Sequence, residues 1–229
     1  MGRHGLRFDE WPESDRSAWE LAIADGDVFD GRGPAARWRA ATRKTNINHY
    51  GAWLGFLRDA GQLKLGQKPE ERVTAEAVRA YIEYLRLMVA PCTVVTMLVG
   101  LKVTIMAMAP RENWRWLADI CNALNRQAEP VRDKESRILP AEEIYATAVA
   151  ELARQRDSHP QGRNTLCAWR NTLMIALLSA RPLRLKNFAA LELREHLRRV
   201  GSNWLITVPA DEVKNGMPLE FDLIPSLIT

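Results

Sequence analysis

Two stretches late in the chain hold residue types that could handle a phosphate. The first runs Ala180-Arg181-Pro182-Leu183-Arg184-Leu185-Lys186-Asn187-Phe188-Ala189-Ala190-Leu191. An apolar helix ends there, Pro182 turns the chain, and Arg184 stands at the start of the next helix. The N–H groups of a helix start and a guanidinium fork both suit phosphate oxygens. The second runs Trp204-Leu205-Ile206-Thr207-Val208-Pro209, then Glu212-Val213-Lys214-Asn215-Gly216-Met217-Pro218-Leu219. Asn-Gly between two alternating segments signals a hairpin turn. It puts Lys214 at a hairpin tip, where a mobile cation can reach into a DNA groove. An Arg steadies charge that builds on phosphate oxygens, and a Lys can protonate a leaving 5′ oxygen. The pair could form part of a metal-free phosphoryl-transfer site. The plainer readings are a helix-capping or surface role for Arg184 and a polar turn role for Lys214. Arg181 rivals Arg184 by residue type.

These groups need elements to hold them. Residues 1–33, rich in Asp, Gly and Pro, read as a loose acidic extension with one short helix around Ser17–Ala24. Residues 34–129 read as a helical domain. Tyr50, Trp53, Leu54 and Leu57 recur at helical spacing within 35–60, and Gly61 ends the run. Thr74 can cap a helix to Met88 with Val78, Tyr81, Ile82 and Leu85 inward. Thr93–Met108 and Asn113–Gln127 follow, with one of Trp114 and Trp116 in the core and the other partly exposed. Residues 130–137 are a polar linker. Residues 138–229 hold helices from Pro140, across Thr165–Ser179 and from Leu185, then a β-hairpin of Trp204–Val208 with Leu219–Leu223. The expected class is mainly α: a helical bundle, then a partial α+β domain.

Charge narrows the function. The 229 residues are 47% hydrophobic and 26% charged, with a net charge of +4. Residues 1–33 carry 4 basic and 8 acidic groups, residues 34–130 carry 14 and 8, and residues 131–229 carry 14 and 12. Residues 31–58 and 158–191 contain no acid. Uncancelled positive potential over such windows suits a polyanion such as double-stranded DNA. Arg37, Arg39, Arg43 and Lys44 form the candidate contact face, or else a solvated one. Asn46 and Lys102 join the candidate DNA-binding set, and His49 is either a contact or a bystander. The acidic extension could compete with DNA for the basic surface or simply be solvated.

Other chemistry lacks support. There is no Gly-rich phosphate loop, no serine nucleophile motif, and no metal spacing among His4, His49, His159 and His196. No cofactor or metal is expected. Cys92, Cys121 and Cys167 read as buried thiols of a reducing compartment. No apolar run approaching 18 residues and no signal peptide is read, which suggests a soluble cytoplasmic protein without a membrane span.

The chain resembles the tyrosine recombinase (phage integrase) family. Leu183-Arg184 with Phe188-Ala189-Ala190-Leu191 is similar to the segment around that family's first catalytic arginine. Lys-x-Gly-x-Pro-Leu at Lys214 is similar to its hairpin lysine. Thr45, Tyr50, Trp53-Leu54, Phe56-Leu57, Thr93, Leu98, Leu101, Trp114 and Trp116-Leu117 follow the layout of its core-binding domain. The resemblance covers roughly residues 34–225. It implies a SAM-like DNA-binding bundle, half of a catalytic domain, and site-specific recombination and integration of DNA, with other recombinase protomers as possible partners. Two departures stand out. Asn187 replaces the family's usual acid. No His-x-x-Arg follows Lys214, and Tyr50, Tyr81, Tyr84 and Tyr145 all precede Arg184. A covalent phosphotyrosine step is therefore not expected of this chain alone. A fragment of an active recombinase whose other half is supplied separately, a DNA-binding remnant or regulator, and a helical protein-interaction module are the alternatives. The late helices and the hairpin, Leu173–Leu191 among them, are expected to expose apolar surface.

Overall fold

The computed structural model describes residues 5–27, 31–133, 135–157, 162–192, 194–201 and 203–223. His4 and His159 lie outside them. The chain divides after Asp133 into two units, within the expected linker, and each is described by itself. The described residues are mainly helical, with one small antiparallel sheet.

The first unit holds α1 (Glu13–Ile23), α2 (Ala40–Asp59), α3 (Pro69–Arg72), α4 (Ala75–Met88), α5 (Pro91–Met108) and α6 (Arg115–Gln127). Local signals set most of the ends. The Thr74 hydroxyl accepts from the Ala77 N–H at 3.2 Å, and Val78, Tyr81, Ile82 and Leu85 are buried. Gly61, just past α2, has φ +67, the left-handed conformation that glycine takes without strain. Pro91 sits in the first turn of α5, so this helix starts two residues before the expected Thr93. Trp114 is buried with its indole N–H on the Ala109 carbonyl, and Trp116 is half-buried.

Helix α5 packs against α1, α2, α3, α4 and α6. A helix surrounded this way is apolar nearly all round. By length and composition α5 could cross a membrane, contrary to the expectation that no run is that apolar; half of it is buried inside the unit. Cys121 is buried, Cys167 is half-buried and Cys92 is exposed, so the expectation of buried thiols fails at Cys92.

The N-terminal stretch is not a loose extension. Trp11, Trp19 and Ala22 are buried in the same core as Tyr50 and Leu54, and α1 starts at Glu13. Asp15 lies on this inward stripe. It accepts from Tyr50 Oη and from Arg72 at 2.7 Å each. The Leu6 N–H donates to the Gly51 carbonyl at 2.9 Å, which holds the leading segment on α2. Eight acids obscured an apolar spacing, because one of them is itself a core residue with two partners.

The second unit holds α7 (Ala141–Asp157), α8 (Arg163–Ala180), α9 (Leu185–Ala189), β1 (Leu197–Val200), β2 (Asn203–Val208) and β3 (Leu219–Asp222). The helices α7 and α8 pack on each other, and the sheet order is β1-β2-β3. Leu197, Ile206 and Phe221 share one register row. The expected two-stranded hairpin is therefore three strands. Its tight turn follows β1: Val200 pairs with Asn203, and Gly201 has φ +62, as a primed turn requires. The strands β2 and β3 are joined by residues 209–218 instead. Pro209 and Pro218 flank that loop, and neither can donate to the ladder, so pairing stops at Val208 and Leu219.

This unit buries few large apolar side chains: Ile206, Val208 and Val213 are inside, beside Ala148 and Ala176. Leu139, Leu166, Ile175 and Leu185 are exposed, Leu185 at 80%.

Candidate nucleic-acid interface

In the first unit the basic residues gather where α2 begins. Arg37 lies in the turn before it, Arg39 is the residue before the helix proper, and Lys44 is in its second turn; all three are exposed. The first turn of α2 contains no acid. Exposed N-terminal amides carry partial positive charge, so cations there repel the helix end and an anion relieves the repulsion. Arg37 and Lys44 have no hydrogen-bond or ion-pair partner among the described residues.

The other members of the predicted set are placed differently. Arg43 is half-buried and donates to the Ala36 carbonyl, closing the turn onto the helix, while its Nε is buried without a partner. Its guanidinium is partly committed to the fold. Asn46 is 6% exposed, on the α2 stripe that continues to Tyr50 and Trp53, so it is a core residue and not an outward contact. Lys102 is half-buried on α5, and its charge pulls the Cys121 thiol down against the larger upward effect of burial. It faces α6 closely enough to act on that thiol. His49 is wedged against Gly100, with burial lowering its pKa and its Nδ1 buried without a partner.

In the second unit Arg184 is exposed at the N-cap of α9, and its guanidinium has no partner among the described residues. The helix it opens has only five residues, so an anion at this position would meet a guanidinium rather than a helix dipole. Arg181, its rival, caps the end of α8 through its N–H on Leu177, and its guanidinium lies 5.8 Å from the Phe221 ring centre. It is engaged with the sheet, whereas Arg184 is not. Lys186, on the first turn of α9, is also exposed.

Lys214 is exposed in the loop between β2 and β3, not at the tip of a tight hairpin. Asn215-Gly216 does form a turn: the Gly216 N–H reaches the Val213 carbonyl at 3.0 Å, and Gly216 has φ +68. That turn lies inside the longer loop, which buried Val213 pins to the unit.

Beside these cations lie Asn187, which the resemblance marks as a departure, and His196, which carries no recognisable sequence signal. Asn187 is buried and donates its amide to the Glu212 carbonyl at 3.2 Å. His196 is buried and lies 3.1 Å from the Glu212 carboxylate. The basic residues Arg194, Arg198 and Arg199 are exposed on and before β1.

Tyr50 and Tyr81 are core residues, and burial raises the pKa of both phenols. Tyr84 and Tyr145 are half-buried. Among the described residues no three His, Cys, Asp or Glu side chains gather as a metal-binding group. Comparison with protein-family models, with curated proteins and with solved structures finds no match to this chain.

Proposed function

We propose that the chain is a cytoplasmic, double-stranded-DNA-binding protein of the tyrosine-recombinase kind. The observation that carries this reading is the acid-free start of α2, where Arg37, Arg39 and Lys44 are exposed together. In this reading the first unit is a SAM-like core-binding bundle that grips phosphates. The second brings Arg184 and Lys214 to DNA phosphates, as two cations of a site for DNA recombination and integration. Tyr50 and Tyr81 are buried in the core, and the activity proposed for the chain is DNA binding. Other recombinase protomers on the same DNA are the natural partners.

The test is fluorescence anisotropy with a labelled duplex over a salt series. Log affinity should fall linearly with log salt, by about 0.9 for each phosphate neutralised. Absent or salt-insensitive binding overturns the reading.

One observation favours a second reading, a helical protein-interaction module. Leu139, Ile144 and Ile175 line a groove of about 350 Å³ on α7 and α8, with Glu143 and Glu151 also in its wall. Salt-insensitive DNA binding would favour that reading.

A further inference from the structure

We infer that Glu212 is a positioning residue, which holds the Lys214 loop against α9 and makes Arg184 and Lys214 parts of one rigid unit. This rests on the reading that both cations face a DNA phosphate.

Three elements meet at Glu212. Asn187 of α9, three residues after Arg184, donates its amide to the Glu212 main-chain carbonyl. The His196 ring reaches the Glu212 carboxylate. His196 is itself fixed: its carbonyl accepts from the Thr207 N–H of β2 at 2.8 Å, and its N–H donates to Glu192. The tautomer follows from the contacts. The Glu192 N–H donates to His196 Nδ1 at 3.0 Å, so Nδ1 presents a lone pair and Nε2 carries the hydrogen. Nε2–H therefore donates to Glu212 Oε2, and both ring nitrogens have a partner. Glu212 thus uses its carbonyl toward α9 and its carboxylate toward the segment before β1. Lys214 is two residues further along the same loop.

The geometry also explains the amide at position 187. An aspartate there would bring an acceptor to the Glu212 carbonyl, and two facing acceptors cannot bond. Asn187 supplies the donor that an acid cannot. His196 is over nine-tenths buried, so losing the Glu212 carboxylate leaves its Nε2–H short of a partner, whereas Asn187, equally buried, keeps the main-chain carbonyl.

The experiment uses the full chain and two readouts. The first is amide hydrogen exchange at Val213 and Gly216, whose N–H groups are bonded within the loop. The second is duplex affinity over a salt series. Glu212→Ala should speed loop exchange about tenfold, the effect of one lost hydrogen bond, and leave α7 and α8 unchanged. It should also weaken DNA binding and lower the salt slope by about one, as Lys214→Ala should. The double variant should lose no more than Lys214→Ala alone. Simple electrostatics points the other way, because removing an acid beside a DNA-contacting lysine strengthens binding. Glu212→Gln keeps an acceptor for His196 and should bind DNA at least as well as the parent. Asn187→Asp is the second route to the same loop opening if Glu212→Ala does not fold. Unchanged loop exchange, or additive losses in the double variant, overturns the inference. If the loop opens as expected but Lys214→Ala leaves DNA binding untouched, the positioning of the loop stands and the DNA reading of Lys214 falls.

Discussion

Asp15 and Arg72 form an ion pair of 2.7 Å in which both side chains are fully buried, although they lie 57 positions apart in the chain. Burial pushes the Asp15 carboxyl above its usual range, against the Tyr50 hydrogen bond and the Arg72 charge, which pull it down. Arg72 also donates to the Lys64 carbonyl at 2.9 Å, so the pair ties α1 to the segment leading into α3. Removing one partner strands the other charge. Arg72→Ala should cost about 3–5 kcal/mol, read by urea unfolding of the full chain. Asp15→Leu with Arg72→Met should cost less than the two single losses added together. Additive losses would show that the two charges do not act as a pair.

Gly100 marks the closest approach of α5 to α2. A Cβ there would lie 1.9 Å from His49 Nδ1 and 2.7 Å from His49 Cβ. Turning the ring cannot relieve the second contact, because that atom is fixed to the α2 backbone. Gly100→Ala should destabilise the first unit by about 1–3 kcal/mol, and His49→Ala should restore only part of it. The ring gives a pH signature as well. Burial lowers the His49 pKa, so the folded state favours the neutral ring. Its contribution is complete above the ordinary histidine value of about 6.5 and is lost as pH falls below it. His49→Gln should therefore flatten the loss of stability between about pH 6.5 and pH 5. Identical profiles for parent and variant would rule this out.

The second unit should open before the first. Ile206, Val208 and Val213 are its large buried apolar side chains, whereas Leu166, Ile175 and Leu185 face outward. The first unit buries Trp19, Trp53, Tyr50, Leu98 and Ile105 almost completely. Protection from exchange follows buried apolar contact. Amides of α7 and α8 should exchange at least about tenfold faster than those of α2 and α5. Equal protection in the two pairs would mean that the exposed apolar surface is covered in solution.

What was legible in the sequence was local. Thr74 by its hydroxyl and Gly61 and Pro182 by their backbone chemistry set helix ends locally, and Tyr50, Trp53 and Leu57 mark one face by spacing alone. Arg184 at the entry of α9 was legible for the same reason. The unread features depend on partners distant in the chain. Asp15 looked like one more solvated acid because its partners are Tyr50 and Arg72. Asn46 looked like a DNA contact because it follows a basic run, yet the helical phase of Tyr50 already places it inward. Asn215-Gly216 does turn the chain, but Pro209 and Pro218 had already ended the strands on either side. The strand β1 was missed because Arg198 and Arg199 occupy its centre, and a solvated edge strand needs little apolar alternation.

The hydroxyl inventory bears on strand cleavage. Tyr50 donates to Asp15 in the core, and Tyr81 is packed between Trp53 and Phe56. A nucleophile must reach phosphorus in line, and these two phenols are closed off from any ligand. The 229-residue chain, incubated with a nicked duplex that traps covalent intermediates, should give no protein–DNA adduct on a denaturing gel. An adduct mapped to Tyr84 or Tyr145, the two half-buried tyrosines, would overturn the proposal that this chain binds without cutting.

Residue-level salt slopes separate the basic residues of the first unit by what each touches. Arg37 and Lys44 are exposed with no partner in the fold, so Arg37→Ala and Lys44→Ala should each lower the slope by about one and leave stability within about 0.5 kcal/mol. Arg43 closes onto the Ala36 carbonyl, and Asn46 is a core residue. Arg43→Ala should therefore cost both stability and affinity, and Asn46→Ala should cost stability with the slope unchanged. The order matters more than any one value, since a diffuse electrostatic attraction would make every cation equivalent and ignore burial. If Arg43→Ala lowers the slope as much as Lys44→Ala with no loss of stability, Arg43 leaves Ala36 when DNA binds, and the start of α2 rearranges on the phosphate backbone.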